Sequence, residues 1–132
     1  MAVQRKTWVV NPLANKSDVS ERRKENLSRL GDQVVEAELK PQHVKRPPKN
    51  YKLNYIVDIY TKWQRDCFYF CAKYSNSDGR DFNMNFARLE ALSSGKYDLA
   101  YLRHTGKWWV VGKNISAKTA IDLVREGGIF EP

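Results

Sequence analysis

The stretch CFYFCAKYSNSDGRDFNMNFARL, residues 67–89, decides the fold. Every second residue from Phe68 to Tyr74 is apolar: Phe68, Phe70, Ala72, Tyr74. After Gly79 the alternation resumes at Phe82, Met84 and Phe86. A period of two marks strands with one buried face. A three-residue loop, Ser77-Asp78-Gly79, with its glycine left-handed, suits a bulged hairpin. That register pairs Tyr74 with Phe82, Ala72 with Met84 and Phe70 with Phe86, all apolar. A two-residue Asp-Gly loop would not.

The pattern extends outward in both directions. Residues 51–60 alternate, with Leu53, Tyr55, Val57 and Ile59 on one side. Further strands are predicted over 97–104 and 107–111, set off by Ser93-Ser94-Gly95 and Thr105-Gly106. A four-residue loop over 91–94 places Phe86 beside Leu99. A two-residue Thr105-Gly106 turn pairs Arg103 with Trp108 and Tyr101 with Val110. One face then holds the core side chains, from Phe68 and Phe70 to Tyr101, Trp108 and Val110. The other holds Cys67, Tyr69, Cys71, Lys73, Asp81, Asn83, Asn85, Leu102, His104, Lys107 and Trp109.

Helices flank the strands. Residues 18–39 carry Leu27, Leu30, Val34 and Ala37 at helical spacing, with Ser17 or Asp18 as cap and Glu21 three after Asp18. Gly31 weakens that helix by about 1 kcal/mol, and Lys40-Pro41 ends it. A second helix runs from its cap Ser116 to Glu126, stopped by Gly127-Gly128. The expected fold is α+β: an N-terminal helix, a five-stranded antiparallel meander and a C-terminal helix. A basic arm over 1–17 precedes a single domain over 18–132, with a basic proline-rich connector over 40–50.

Composition sets the outer limits. The chain of 132 residues is the length of one domain, and 42% hydrophobic content speaks against disorder throughout. No apolar run approaches the ~20 residues that cross a bilayer, so no membrane partner is expected. No secretory signal is expected either, and residues 8–12 do not read as an amphipathic presequence. Cys67 and Cys71 stand four apart on a strand, roughly 13 Å from each other, too far for a disulfide. Reduced thiols, a cytoplasmic protein, no metal and no cofactor are expected.

The charge is +8, from 23 Lys and Arg against 15 Asp and Glu. Residues 1–52 hold 12 basic and 6 acidic residues, while 14 of the 16 aromatics lie beyond them. The excess favours an anionic partner. The first reading is a non-enzymatic accessory protein that binds nucleic acid, DNA or RNA undecided. Arg5, Lys6, Lys45, Arg46 and Lys49 would supply affinity. Tyr69, Lys73, Arg103, His104, Lys107 and Trp109 would form a docking face. Against it stands a solvated face whose rings brace neighbouring strands, or one hidden by dimerisation. The basic residues of the first helix are largely offset by Glu21, Glu25 and Glu36.

A second reading makes His104 an acid–base group across from Asp81, with Arg103 or Lys107 on a phosphodiester. The simpler account is a turn histidine beside an Arg103–Trp108 stack, since no second histidine or carboxylate pair completes a site. A third reading is a protein-assembly module whose arm, through Trp8, Val9, Val10 and Leu13, orders on a partner or a second copy. The missing catalytic partners favour the first and third readings over an enzyme.

Three blocks carry a resemblance: Phe68 to Tyr74, Phe86 to Glu90, and Tyr101-Leu102-Arg103-His104-Thr105-Gly106-Lys107-Trp108-Trp109. From Trp63 onward, about half the chain, the sequence resembles an uncharacterised family of short bacterial proteins sharing the RHTGKWW-type hairpin block. The resemblance implies a compact domain of bacterial or phage origin. It brings no catalytic role, and the first 50 residues lie outside it.

Overall fold

The computed structural model describes residues 19–44, 54–76 and 79–132. The predicted arm and residues 45–50 of the predicted connector lie outside them, with Leu53, Ser77 and Asp78. The strands are β1 (Tyr55–Gln64), β2 (Cys67–Ser75), β3 (Asp81–Ala91), β4 (Tyr97–Leu102) and β5 (Trp108–Ile115). They form one antiparallel meander in chain order, so β1 and β5 are its edges. The fold is α+β, as the alternating pattern requires.

The first hairpin register holds at Tyr74–Phe82 and Ala72–Met84. A bulge then intervenes, so Phe70 faces Ala87 rather than Phe86. Phe86 is still buried, its ring 6.1 Å from that of Phe70. The next hairpin turns over three residues, Ser93 to Gly95, with the Leu92 N–H donating to the Lys96 carbonyl at 2.8 Å, not over the predicted 91–94, so Leu99 pairs with Leu89 and not with Phe86. In β1 a bulge at Val57 puts Ile56 and Ile59 inward, replacing the predicted Tyr55, Val57 and Ile59 set.

Helix α1 (Glu21–Val34) is capped by Ser20, whose hydroxyl accepts from the Arg23 N–H at 3.2 Å. The cap therefore lies two to three residues later than predicted. Nor does Lys40-Pro41 end the helical run. A π-turn at Val35–Leu39 leads into the short α2 (Lys40–His43), with Pro41 in its first turn. A proline in a regular helix clashes with the carbonyl four residues back and lacks an N–H to donate. The wider π-turn just before Pro41 absorbs both faults. It also rotates the apolar stripe, so Leu39 is buried and Ala37 exposed. Helix α3 (Ala117–Glu126) starts at Ser116, which accepts from the Thr119 N–H at 3.1 Å, and ends at Gly127, both as predicted.

Both long helices lie on one face of the sheet. Their Leu27, Val34, Ala120, Ile121 and Val124 join Ile59, Phe68, Phe70, Leu89 and Leu99 in a single core. Each fully buried large side chain there contributes about 1.5–3 kcal/mol. Arg23 locks α1 to the β3–β4 turn. Its guanidinium donates to Tyr97 Oη at 3.1 Å and to the Leu92 and Lys96 carbonyls at 2.7 Å, and it lies 4.5 Å over the Tyr97 ring. Among the described residues no helix is long and apolar enough to cross a membrane.

Gly31 is the point of closest approach between helix and sheet. A Cβ there would lie 2.7 Å from Phe68 Cζ and 2.8 Å from Cε2, and the Phe68 ring is fully buried with nowhere to move. Gly-to-Ala in a helix normally stabilises by about 0.5–1 kcal/mol. Here overpacking, worth typically ~1–3 kcal/mol, reverses the sign. Gly31→Ala should lower the urea midpoint of unfolding; a higher midpoint would show that α1 does not rest on Phe68.

Candidate nucleic-acid interface

The sheet face away from the helices is laid out by register. One row crosses all five strands: Lys62, Tyr69, Arg88, Ala100 and Val110. A second row holds Tyr60, Cys71 and Asn85, and Leu102 pairs with Trp108 on the same face. Ala100 has no bulk to stand between Arg88 and the next strand. The Arg88 guanidinium leans across and lies 4.8 Å from the Trp108 ring centre. Trp108 is also 5.9 Å from the ring of Tyr69, and Lys62 Nζ sits 5.8 Å over the other side of the cluster on Tyr69. The result is a chain of cation, ring, ring, cation on the sheet face away from the described helices.

Arg88 also carries the one polar side-chain atom among the described residues that is buried without a hydrogen-bond partner, its Nε. Its charge is spread over the Trp108 ring and is not cancelled there. Lys73 and Asn83 extend the face, with Lys73 Nζ 3.5 Å from the Asp81 carboxylate. Tyr60 donates to Asn83 Oδ1 at 3.0 Å, which orients that amide.

The β4–β5 turn differs from its prediction, with consequences for the site. The Arg103 N–H donates to the Lys107 carbonyl at 2.9 Å and the Gly106 N–H to the Arg103 carbonyl at 2.8 Å. The loop is therefore three residues long, His104 to Gly106, with Gly106 left-handed at φ +82°. The added residue slips the register by one: Leu102 faces Trp108, Tyr101 faces Trp109 and Ala100 faces Val110. Trp108 and Val110, predicted inward, stand on the open face. Trp109, predicted on the open face, stands on the helix side beside Tyr101, where Arg103 lies 4.8 Å from its ring. The predicted Arg103–Trp108 stack is thus two stacks, Arg103–Trp109 and Arg88–Trp108, on opposite faces of β5.

The other predicted site residues divide accordingly. Tyr69 and Lys73 are on the open face. His104 and Lys107 are exposed at the β4–β5 turn. The register setting His104 across from Asp81 does not form: strand pairing ends at Ala87–Tyr101, and Asp81 pairs with Lys73. Arg5, Lys6, Lys45, Arg46 and Lys49 lie outside the described residues. Arg88, Lys62 and Tyr60 were absent from the predicted face. Tyr69 at the centre of the 67–89 hairpin implied Arg88, its cross-strand partner, once the bulge at Phe86 was counted.

Among the described residues no three His, Cys, Asp or Glu side chains converge. Both thiols are free. Cys71 lies under Tyr60 and Asn85, donating to Asn85 Oδ1 at 3.1 Å. Burial pushes its thiol from 9.0 up to about 11, with nearby Lys62 pulling weakly the other way. Folding thus holds the neutral thiol. That stabilisation is full below about pH 9 and is lost as pH rises through about 11. Urea midpoints measured from pH 7 to 11 should fall more steeply for the natural protein than for Cys71→Ala. Parallel curves would mean Cys71 titrates as an open thiol.

No curated protein and no solved structure matches the chain. Residues 19–132 match the family described as "Domain of unknown function (DUF3024)", and the chain belongs to that family.

Proposed function

We propose that the protein is a non-enzymatic accessory protein that binds nucleic acid on its open sheet face. The observation that carries this reading is the Lys62–Tyr69–Trp108–Arg88 cluster: two rings flanked by cations on the sheet surface away from every described helix. Rings on an exposed sheet accept stacked bases irrespective of sequence, at about 1–3 kcal/mol per base. Cations beside them hold phosphate, and an arginine already lying on a tryptophan presents a flat, weakly hydrated donor to the next base or phosphate. Arg5, Lys6, Lys45, Arg46 and Lys49 would add phosphate contacts that carry no sequence information.

The acid–base alternative has lost support, because the carboxylate expected to orient His104 is engaged by Lys73. We assign His104 and Lys107 to the phosphate-binding margin of the face. The reduced thiols support a cytoplasmic location. The resemblance of the Arg103–Trp109 block to short bacterial proteins supports a bacterial or phage origin.

Fluorescence anisotropy tests this with labelled single- and double-stranded DNA and RNA at ~50 and ~200 mM salt, a span over which phosphate contacts lose affinity steeply. Trp108→Ala should weaken single-strand binding about 5- to 150-fold, the equivalent of one lost stack, with unchanged circular dichroism. Changing Arg5, Lys6, Lys45, Arg46 and Lys49 together to Ala should flatten the salt dependence. Absence of binding at the lower salt, or full affinity in the Tyr69→Ala, Trp108→Ala double variant, would overturn the reading.

A further inference from the structure

The β5 edge carries a second arginine–tryptophan stack that the open face does not use. Trp109 is 53% exposed, a high value for the largest apolar side chain, with the Arg103 guanidinium 4.8 Å from its ring centre. It follows Trp108 directly in the chain and points to the opposite face of the same strand. The strand between them is an edge among the described residues.

Arg103, Lys107 and Lys113 lie along this edge against one carboxylate, Asp98, which accepts the Asn114 N–H at 2.9 Å; Lys118, further on in α3, is held by Asp122 at 2.9 Å. Lys107 and Lys113, at either end of β5, are both exposed. Beside β1, Lys40 Nζ is held by Glu36 at 2.7 Å and Asp58 at 3.3 Å, while Lys62 of β1 lies over Tyr69 on the open face. The net positive charge at β5 draws a polyanion to that edge as well.

We infer that a single-stranded nucleic acid wraps over the β5 edge, stacking one base on Trp108 at the open face and another on Trp109 at the helix-side face. Its backbone crosses between Lys107 and Lys113. This inference rests on the proposed function and adds to it the second subsite and the path. It also specifies the ligand: a flexible single strand can bend around an edge the thickness of one β-strand, whereas a duplex with a ~50 nm persistence length cannot.

The test uses full-length protein labelled with 5-fluorotryptophan, whose four fluorine resonances are assigned by replacing each Trp with Phe. Oligothymidylates of about three and about ten nucleotides are titrated in, lengths below and within the usual footprint of a single-strand site. The trinucleotide should shift Trp108 alone; the decanucleotide should shift Trp108 and Trp109. Trp109→Ala should weaken the decanucleotide about 5- to 150-fold and leave the trinucleotide unaffected, and Lys113→Glu should act in the same direction. A decanucleotide that moves Trp108 but not Trp109, with full affinity in Trp109→Ala, would overturn the wrap and leave the open-face reading standing. If neither oligonucleotide moves Trp108, the open-face reading falls and the wrap with it.

Discussion

A left-handed backbone at the third residue of a hairpin turn is the constraint on which this molecule's surface depends. Gly106 adopts φ +82°, and the same three-residue geometry recurs at Ser93 to Gly95, with Gly95 at +88°. A side chain with a Cβ resists that conformation. Where glycine supplies it, the turn closes after three residues and the strand that follows is set in one register. Because side chains alternate at a period of two, that register decides which residues meet solvent on which face. At the β4–β5 turn it places Trp108 over Arg88 and leaves Trp109 to Arg103. One residue fewer in the loop would exchange the two tryptophans and dissolve the open-face cluster.

The open face is the one left by both long helices, which pack on the other side. The contact of Gly31 with Phe68 brings α1 down onto β2, and Val124 and Ile121 of α3 fill the space beside it. The π-turn before Pro41 keeps the helical run going long enough for Leu39 to be buried in the same core. Most of the charge on this side is engaged internally. Arg23 is held by two carbonyls and a phenol, Lys40 by two carboxylates, and Arg125 lies near Glu38 and Asp122. The helical layer is therefore the structural half of the protein.

The alternation of Phe68 to Tyr74 and Phe82 to Phe86, with Gly79 between, was enough to read the sheet, its connectivity and one correct register. Ser116 and Gly127 were enough to bound α3. The misreadings share a cause. The β4–β5 loop has the three-residue form of Ser93-Ser94-Gly95, but the residue that opens it, His104, has no turn signature of its own. A bulge at Phe86 conserves the apolar pattern while shifting its phase, which periodicity alone does not detect. Gly31 was legible only as a cost to the helix, because its benefit lies in Phe68, 37 positions away in sequence. Of the Lys62–Tyr69–Trp108–Arg88 cluster only Tyr69 followed from the hairpin, with Lys73 beside it on the same face. Arg88 and Trp108 required the two registers that were missed.

Counting charge along the chain pointed to the N-terminal half, but charge acts where it is unmatched in space. Lys62, Arg88 and Arg103 lie over Tyr69, Trp108 and Trp109. A carboxylate partner removes a cation's charge from the far field, whereas an aromatic ring lowers the cost of holding the cation in place and leaves its charge intact. A surface made of such pairs is positive, flat and apolar at once. Those are the properties of a nucleic-acid strand's binding partner, because the strand presents phosphates and flat bases together. The same pairing explains why the aromatic residues are not merely braces between strands: Tyr69 and Trp108 bridge β2 and β5, which share no backbone hydrogen bonds, across the width of β3 and β4. A contact spanning that distance shapes a surface more than it secures a register.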